Sequence, residues 1–335
     1  PLGVIDAECW ARDPIQADGK SEKSPRREIE ETEALRWITS YLQTARLQAL
    51  LPNTRVVSVA DREADIYELF EKAQQNPQGP DLLIRANRSR RRRVKVEDDL
   101  PLIWEHVAEQ PPSGTKELVI PGKGGRKKRT AQLTLRQTQV TLRPPKGRKG
   151  DELVLWAVHA IEPSPPPDSD AVEWLLLTTV PTESYVDACE RLSWYSVRWS
   201  IEIFHRTLKS GCRIEDRRLA DAGNIQACLA LDMVVTWRIL YLTHLGRNHP
   251  QLPCDIFFEE DEWKALTAYH SRSPIPADEP PEIGVAMRMV AKIGGFLGRK
   301  SDGHPGATVL WRGLDKLAFI ADTFRIFHPA HPSGP

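Results

Sequence analysis

Within 193–211, Tyr195, Arg198, Glu202, Arg206 and Lys209 recur at helical spacing and supply a phenol, a carboxylate and three cations. At about 100° per residue from Tyr195 the other four fall at about 300°, 340°, 20° and 320°, one stripe about 80° wide. Val197, Ile201, Phe204 and Leu208 fall between about 180° and 240°, the face expected to pack. A carboxylate flanked by cations suits phosphodiester hydrolysis: the acid grips a divalent metal, the cations hold the phosphate, and the phenol donates a hydrogen bond to the same substrate. Magnesium prefers such hard oxygen ligands. The same spacing also describes an ordinary amphipathic helix whose Arg198–Glu202 and Glu202–Arg206 pairs contribute about 0.2–0.5 kcal/mol each. Two metal ions need carboxylates from separate elements. Asp61, at the tip of an apolar strand, is a suitable partner for Glu202. Glu63 and Asp65 are expected to cap the following helix or to face solvent.

The elements that must position these groups are legible in outline. Residues 55–60, Arg-Val-Val-Ser-Val-Ala, read as a strand ending on Asp61, followed by a helix over 64–73 and a second buried strand over 81–85. Strand, helix, strand predicts an α/β sheet covered by helices. Residues 2–5 read as a short strand and 30–50 as a helix through Leu35, Ile38, Leu42 and Leu47. From about 86 to 181 the pattern becomes alternating, with Gly and Pro turns, and predicts an antiparallel β insertion holding a stiff Pro-rich loop at 163–167. Beyond 182 the chain reads as helical, with a polar break at 273–281. The expected divisions are 1–85, 86–181, 182–245 and 246–335. Along 224–245, Ile225, Leu229, Val234, Val235, Ile239 and Leu242 suit either a core or an interface.

The 335 residues carry 46 Lys plus Arg against 46 Asp plus Glu, so uniform basicity is excluded, but the charges are segregated. Arg85, Arg88, Arg90 to Arg93 and Lys95 form one basic run. Lys123 and Arg126 to Arg129 form a second, and Arg143, Lys146, Arg148 and Lys149 a third. Phosphate binding needs only such local patches, although any one run also reads as a solvated loop. Acids gather at 28–31 and 255–262. The longest strongly apolar stretch, 233–242, is interrupted by Thr236 and Arg238 and falls short of a bilayer span, so no membrane partner is expected. Five cysteines without a CxxC pair suggest neither a disulfide framework nor a zinc knuckle, and a cytoplasmic location is expected.

Tyr195, Arg198, Glu202 and Lys209 match the Y-x2-R-x3-E-x6-K signature of the insertion-sequence-four group of DDE transposases, which this chain resembles. Residues 59–66, Val-Ala-Asp-Arg-Glu-Ala-Asp-Ile, resemble the second-aspartate strand of transposon-five-like transposases within that group. The resemblance runs from residue 1 to about 327 and takes in Trp174-Leu175-Leu176-Leu177-Thr178 and Leu310-Trp311-Arg312-Gly313-Leu314. It implies a ribonuclease-H-like α/β core, a β insertion and a helical C-terminal dimerisation region. It further implies cut-and-paste transposition of double-stranded DNA through a hairpin intermediate by a homodimer using two magnesium or manganese ions. By position, Asp61 and Glu202 are implied as the second and third metal-binding acids. Tyr195, Arg198, Arg206 and Lys209 are implied as phosphate contacts near the scissile end, and Arg62, Arg85 and Arg90 as further DNA contacts. Trp174 matches a tryptophan that stacks on a flipped base, and it also reads as a buried strand tryptophan. Arg206 stands where the related transposase has lysine, which keeps the charge and alters the hydrogen-bond geometry.

The family's first aspartate lies on an opening strand upstream of the one that 2–5 resembles, and neither that strand nor the end-recognition domain is found in this sequence. Asp6 follows the wrong strand to replace it. An incomplete core missing one carboxylate predicts a chain that is catalytically inactive by itself, with exposed sheet edges. The competing reading is a non-catalytic fragment that inhibits full-length transposase by dimerising with it. An unrelated RNA-binding protein is disfavoured, since no RNP or KH signature occurs. Inactivity is checked by incubating the chain with a transposon-end duplex and magnesium; robust nicking would overturn it.

Overall fold

The computed structural model describes residues 3–7, 35–120, 129–167, 169–216, 218–219, 221–299 and 302–328. The described residues fall into two compact units, 35–198 and 199–328, with 3–7 grouped with the second. The expected basic residues Lys123 and Arg126 to Lys128, and the acids at 28–31, lie outside the described residues.

The first unit is built on one seven-stranded mixed sheet, with strand order β1-β2-β7-β6-β5-β3 and β4 also paired to β5. Strands β1 (Val57–Ala60) and β2 (Asp81–Arg85) are parallel, with Ala60 opposite Ile84, and are joined through a 3-10 turn (Arg62–Ala64) and helix α2 (Tyr67–Gln74). The α2 helix therefore starts later than the expected residue 64, because Asp61 caps the separate turn. All remaining ladders are antiparallel: β7 (Glu173–Thr178) joins β2 to β6 (Leu153–Ile161), and β6 joins β5 (Arg129–Leu142). The expected β insertion is thus continuous with the α/β sheet. It also carries a short helix, α3 (Ile103–Ala108), and the strands β3 (Val94–Lys95) and β4 (Gly114–Ile120).

Burial follows from this order. In β2 and β7, Leu82, Leu83 and Ile84, and Leu175, Leu176 and Leu177, are all buried, as expected of strands covered on both faces. One face packs Leu82, Ile84, Leu175 and Leu177 with Tyr41 of α1 (Leu35–Leu50), Phe70 of α2 and Ile103 of α3. Helix α4 (Tyr185–Val197) lies against β1, β5 and β6 and buries Ala188, Leu192 and Tyr195. Its start is fixed by a capping box in which Ser184 and Asp187 satisfy each other's backbone amides.

Two expectations fail in this part of the chain. Gly3 to Ala7 have no regular structure, and Val4 and Ile5 are exposed; a strand needs a hydrogen-bonded neighbour, and no described strand pairs with them. Asp65 does not cap α2, whose N-cap is Ile66, and does not meet solvent; it closes the 3-10 turn and is fully buried. Arg92 donates to its carboxylate at 2.7 Å and to its carbonyl oxygen at 2.6 Å, and the Asn87 amide donates to the second carboxylate oxygen at 2.8 Å. Burial pushes the Asp65 carboxyl above its ordinary range, against the lowering effect of the Arg92 charge and the Asn87 amide.

The second unit is helical: α5 (Trp199–Arg206), α6 (Ala222–Asn248), α7 (Glu260–Ser271), α8 (Ile283–Ile293) and α9 (Ala307–Phe327). The predicted break at 273–281 separates α7 from α8. Ile239, Leu242 and Leu245 of α6 pack with Trp263, Leu266, Met287, Val290, Leu310 and Leu317 in a second core. Helices α8 and α9 meet backbone to backbone. A Cβ at Gly313 would lie 2.0 Å from the Val290 carbonyl oxygen, and one at Gly294 1.8 Å from that of Val309. The α6 residues divide between the two readings: Ile239 and Leu242 are core, while Ile225 and Val234 are exposed. Contrary to the reading of 233–242 alone, Gly223–Asn248 is long and apolar enough to cross a membrane by length and composition. Its C-terminal half instead belongs to the helical core.

Removing one member of a buried ion pair strands the other. Asp65→Ala is expected to cost about 3–5 kcal/mol of stability by that mechanism. Urea unfolding followed by circular dichroism measures it, and a loss below about 1 kcal/mol, the scale of an exposed pair, would contradict the assigned role.

Candidate active site

Asp61 ends β1 and caps the turn that follows, its Oδ1 accepting from the Arg62 amide at 2.7 Å. The carboxylate is therefore held at the strand tip. Two guanidinium groups face it: Arg85 at 3.8 Å from Oδ1 and Arg198 at 3.7 Å from Oδ2. The parallel register places Ala60 beside Ile84, so Asp61 and Arg85 leave the sheet side by side. Arg198 arrives from elsewhere in the chain, immediately beyond α4.

Tyr195 sits one turn before Arg198 and is 1% exposed, not on an open stripe. Its ring meets the edge of Trp174 at 5.0 Å, and the Arg198 guanidinium lies 5.6 Å from the ring centroid. The hydroxyl is buried without a hydrogen-bond partner of good geometry among the described residues. Burial pushes the phenol above its ordinary range and the Asp61 charge adds to this, while Arg198 and Arg85 act in the opposite direction. Trp174, on β7, is itself buried. The fold thus gathers Asp61, Arg85, Tyr195, Arg198 and Trp174 at the ends of β1, β2 and β7. Such a set of guanidinium and phenol donors, fixed around one acid, can hold a tetrahedral oxyanion.

Glu202, Arg206 and Lys209 belong to the helical unit. Glu202 is exposed in the first turn of α5, and Arg206 is exposed at its end. Lys209 pairs with Glu215 at 2.9 Å in a π-helical turn over Thr207–Gly211. The expected single helix over 193–211 is therefore three pieces, interrupted at Arg198 and widened from Thr207 onwards. Widening breaks the 100° arithmetic. Phe204 and Leu208 are buried as expected, but Val197 and Ile201 are 66% and 45% exposed rather than packed.

Among the other basic candidates, Arg62 and Arg90 are exposed in turns. Arg88 is paired with Glu173 at 2.7 Å and lies over Trp104. Arg129, from the second basic run, forms a two-pronged pair with buried Glu162 and holds that carboxyl below its ordinary range. Both act as structural cations. Periodicity does not reveal this, because burial of a single acid leaves no periodic trace.

The described residues do not make a complete divalent-metal centre, since no group of three or more His, Cys, Asp or Glu side chains among them is placed to hold an ion. Asp61 is faced by two arginines instead of further acids.

The helical unit points to the class of protein. Residues 234–330, from the second half of α6 through α9, match a module through which transposase subunits pair. The matching family is the Transposase Tn5 dimerisation domain.

The buried hydroxyl, with the Arg198 side chain beside it, makes Tyr195 a test of this geometry. Tyr195→Phe is expected to change stability by no more than about 1.5 kcal/mol, the net worth of a single hydrogen bond. Tyr195→Ala, which removes the ring from between β7 and α4, should cost about 3–5 kcal/mol. Thermal and urea melts of the two variants check this, and a Phe variant as damaged as the Ala variant would contradict it.

Proposed function

We propose that the chain is a cut-and-paste transposase of the DDE type, acting on double-stranded DNA through a ribonuclease-H-like α/β core interrupted by the β insertion. The observation that carries this is a coincidence within one chain. The dimerisation-domain match at 234–330 follows the Tyr195, Arg198, Glu202, Lys209 spacing and a strand-tip Asp61 facing two arginines.

In this reading Arg85 and Arg198 orient a DNA phosphate beside Asp61, and the Tyr195 hydroxyl donates to it. Arg206, Lys209, Arg62 and Arg90 extend the contact along the backbone, and Trp174 serves a base turned out of the helix. Fixed charges of this kind act by positioning the phosphate and by stabilising charge that develops on its oxygens. Magnesium or manganese is the proposed cofactor, with Asp61 and Glu202 as ligands, and a full cage needs a further carboxylate.

Subunits pair through the C-terminal helices as a homodimer. Phe319, Ile326 and Phe327 of α9 are large apolar side chains at least 70% exposed, and Phe319 and Phe327 edge a cleft between α7 and α9 with Tyr269 and Phe324, as suits a surface that takes a partner.

Asp61→Ala and Glu202→Ala are each expected to abolish magnesium-dependent cleavage of a transposon-end duplex while leaving binding intact. Lost binding with unimpaired cleavage chemistry would sink the ligand assignment. A chain that pairs with full-length transposase but never cleaves would be the dimerising inhibitor instead.

A further inference from the structure

The first and third basic runs lie about fifty residues apart in sequence, yet the fold brings them to one place. The short β3–β5 ladder sets Val94 opposite Leu142, so the residues just before β3 and just after β5 become neighbours. Between them opens a cleft of about 1410 Å³ whose walls include Arg90, Arg91, Arg93, Arg143, Lys146 and Arg148. Its floor is set by groups already satisfied. Arg92 is tied to Asp65, and Arg148 is paired with Glu68 and Glu71. Arg90 and Arg91 are exposed beside this base, Arg93 is exposed and donates to the Leu100 carbonyl, and Arg143 reaches Glu152 only at 4.0 Å while Lys95 takes that same carboxylate at 3.1 Å.

We propose that this cleft is a track for the sugar-phosphate backbone of duplex DNA, binding without reading sequence. The inference rests on the reading of the chain as a DNA-acting protein and adds a contact surface whose walls do not include Asp61, Arg85 or Arg198. Three observations select the occupant. The cleft is larger than the roughly 300–1,000 Å³ of a small-molecule pocket, which favours a continuous polyanion over a free phosphate. Arginines outnumber lysine in its walls, and guanidinium forks match phosphate oxygens. No ring is open for base stacking: Tyr67, the one aromatic lining residue, is buried, donates its hydroxyl to the Asp151 carbonyl, and lies under Arg148. Single-stranded recognition depends on such platforms, whereas backbone contact alone positions a duplex without reading bases.

The test measures binding of the full chain to two duplexes of unrelated sequence by fluorescence anisotropy in EDTA, across a salt series. Without metal the readout is independent of cleavage, so failure of the catalytic assignment leaves it standing. The variant Arg91→Asn with Arg143→Gln removes two projecting cations; asparagine suits the left-handed backbone of Arg91, whose φ is 45°. Arg288→Gln, an exposed cation of the helical unit, is the control. The double variant is expected to weaken both duplexes alike and to make the slope of log K against log salt shallower by about 0.9 per lost contact, with the control unchanged. Parental affinity and slope in the double variant would overturn the proposal, as would weakening confined to one sequence or to a single-stranded probe.

Discussion

A buried ion pair between Asp65 and Arg92 fixes the part of the sheet unit where chemistry is placed. Asp65 lies four residues beyond Asp61, in the connection leaving β1, and Arg92 lies in the loop leaving β2. Their bond therefore locks two loops that emerge from adjacent parallel strands, and the Asn87 amide adds a third point of attachment. Without it, the turn capped by Asp61 and the arginine-rich loop after Arg85 would be independent surface segments. The low polarity around Asp65 makes the arrangement all-or-none: a buried carboxylate tolerates no half-made set of partners.

That constraint sorts the arginines of the chain into two populations. Arg92, Arg129 and Arg148 are paired with acids that are buried or half-buried, and they join segments far apart in sequence. Arg90, Arg91 and Arg93 stand next to Arg92, exposed on a loop that Arg92 holds down, with Arg93 bonded to the Leu100 carbonyl. A run of like charges would otherwise repel itself and spread. Anchoring one member through the core lets the others be held close together in the folded chain. Arg85 and Arg198 occupy an intermediate position, near enough to Asp61 to feel its charge and far enough, at 3.7–3.8 Å, to accept a second anion.

Much of this architecture was legible in the sequence. The β2 strand, the helical stretch after 182 and the break before α8 follow from periodicity and from Gly and Pro punctuation, which are local properties. Asp61 at a strand tip was legible for the same reason. What escaped were features created by non-local pairing. Nothing in the spacing of Asp65 distinguishes it from the exposed Glu63 two residues earlier. The helical wheel over 193–211 failed because it assumes one unbroken helix, and the interruption at Arg198 carries no glycine or proline to announce it. The N-terminal apolar residues misled in the opposite sense, since β propensity without a neighbouring strand leaves the chain irregular.

The backbone contacts at Gly294 and Gly313 carry a different consequence. Where two helices touch through their main chains, neither can rotate about its axis without driving peptide groups into one another. Helices α8 and α9 accordingly behave as one stiff hairpin, and the aromatic residues near the end of α9 are carried on a lever whose angle is set before any partner arrives. In the proposed homodimer, association through a face prepared in this way would lose little conformational entropy, so modest contact area would suffice.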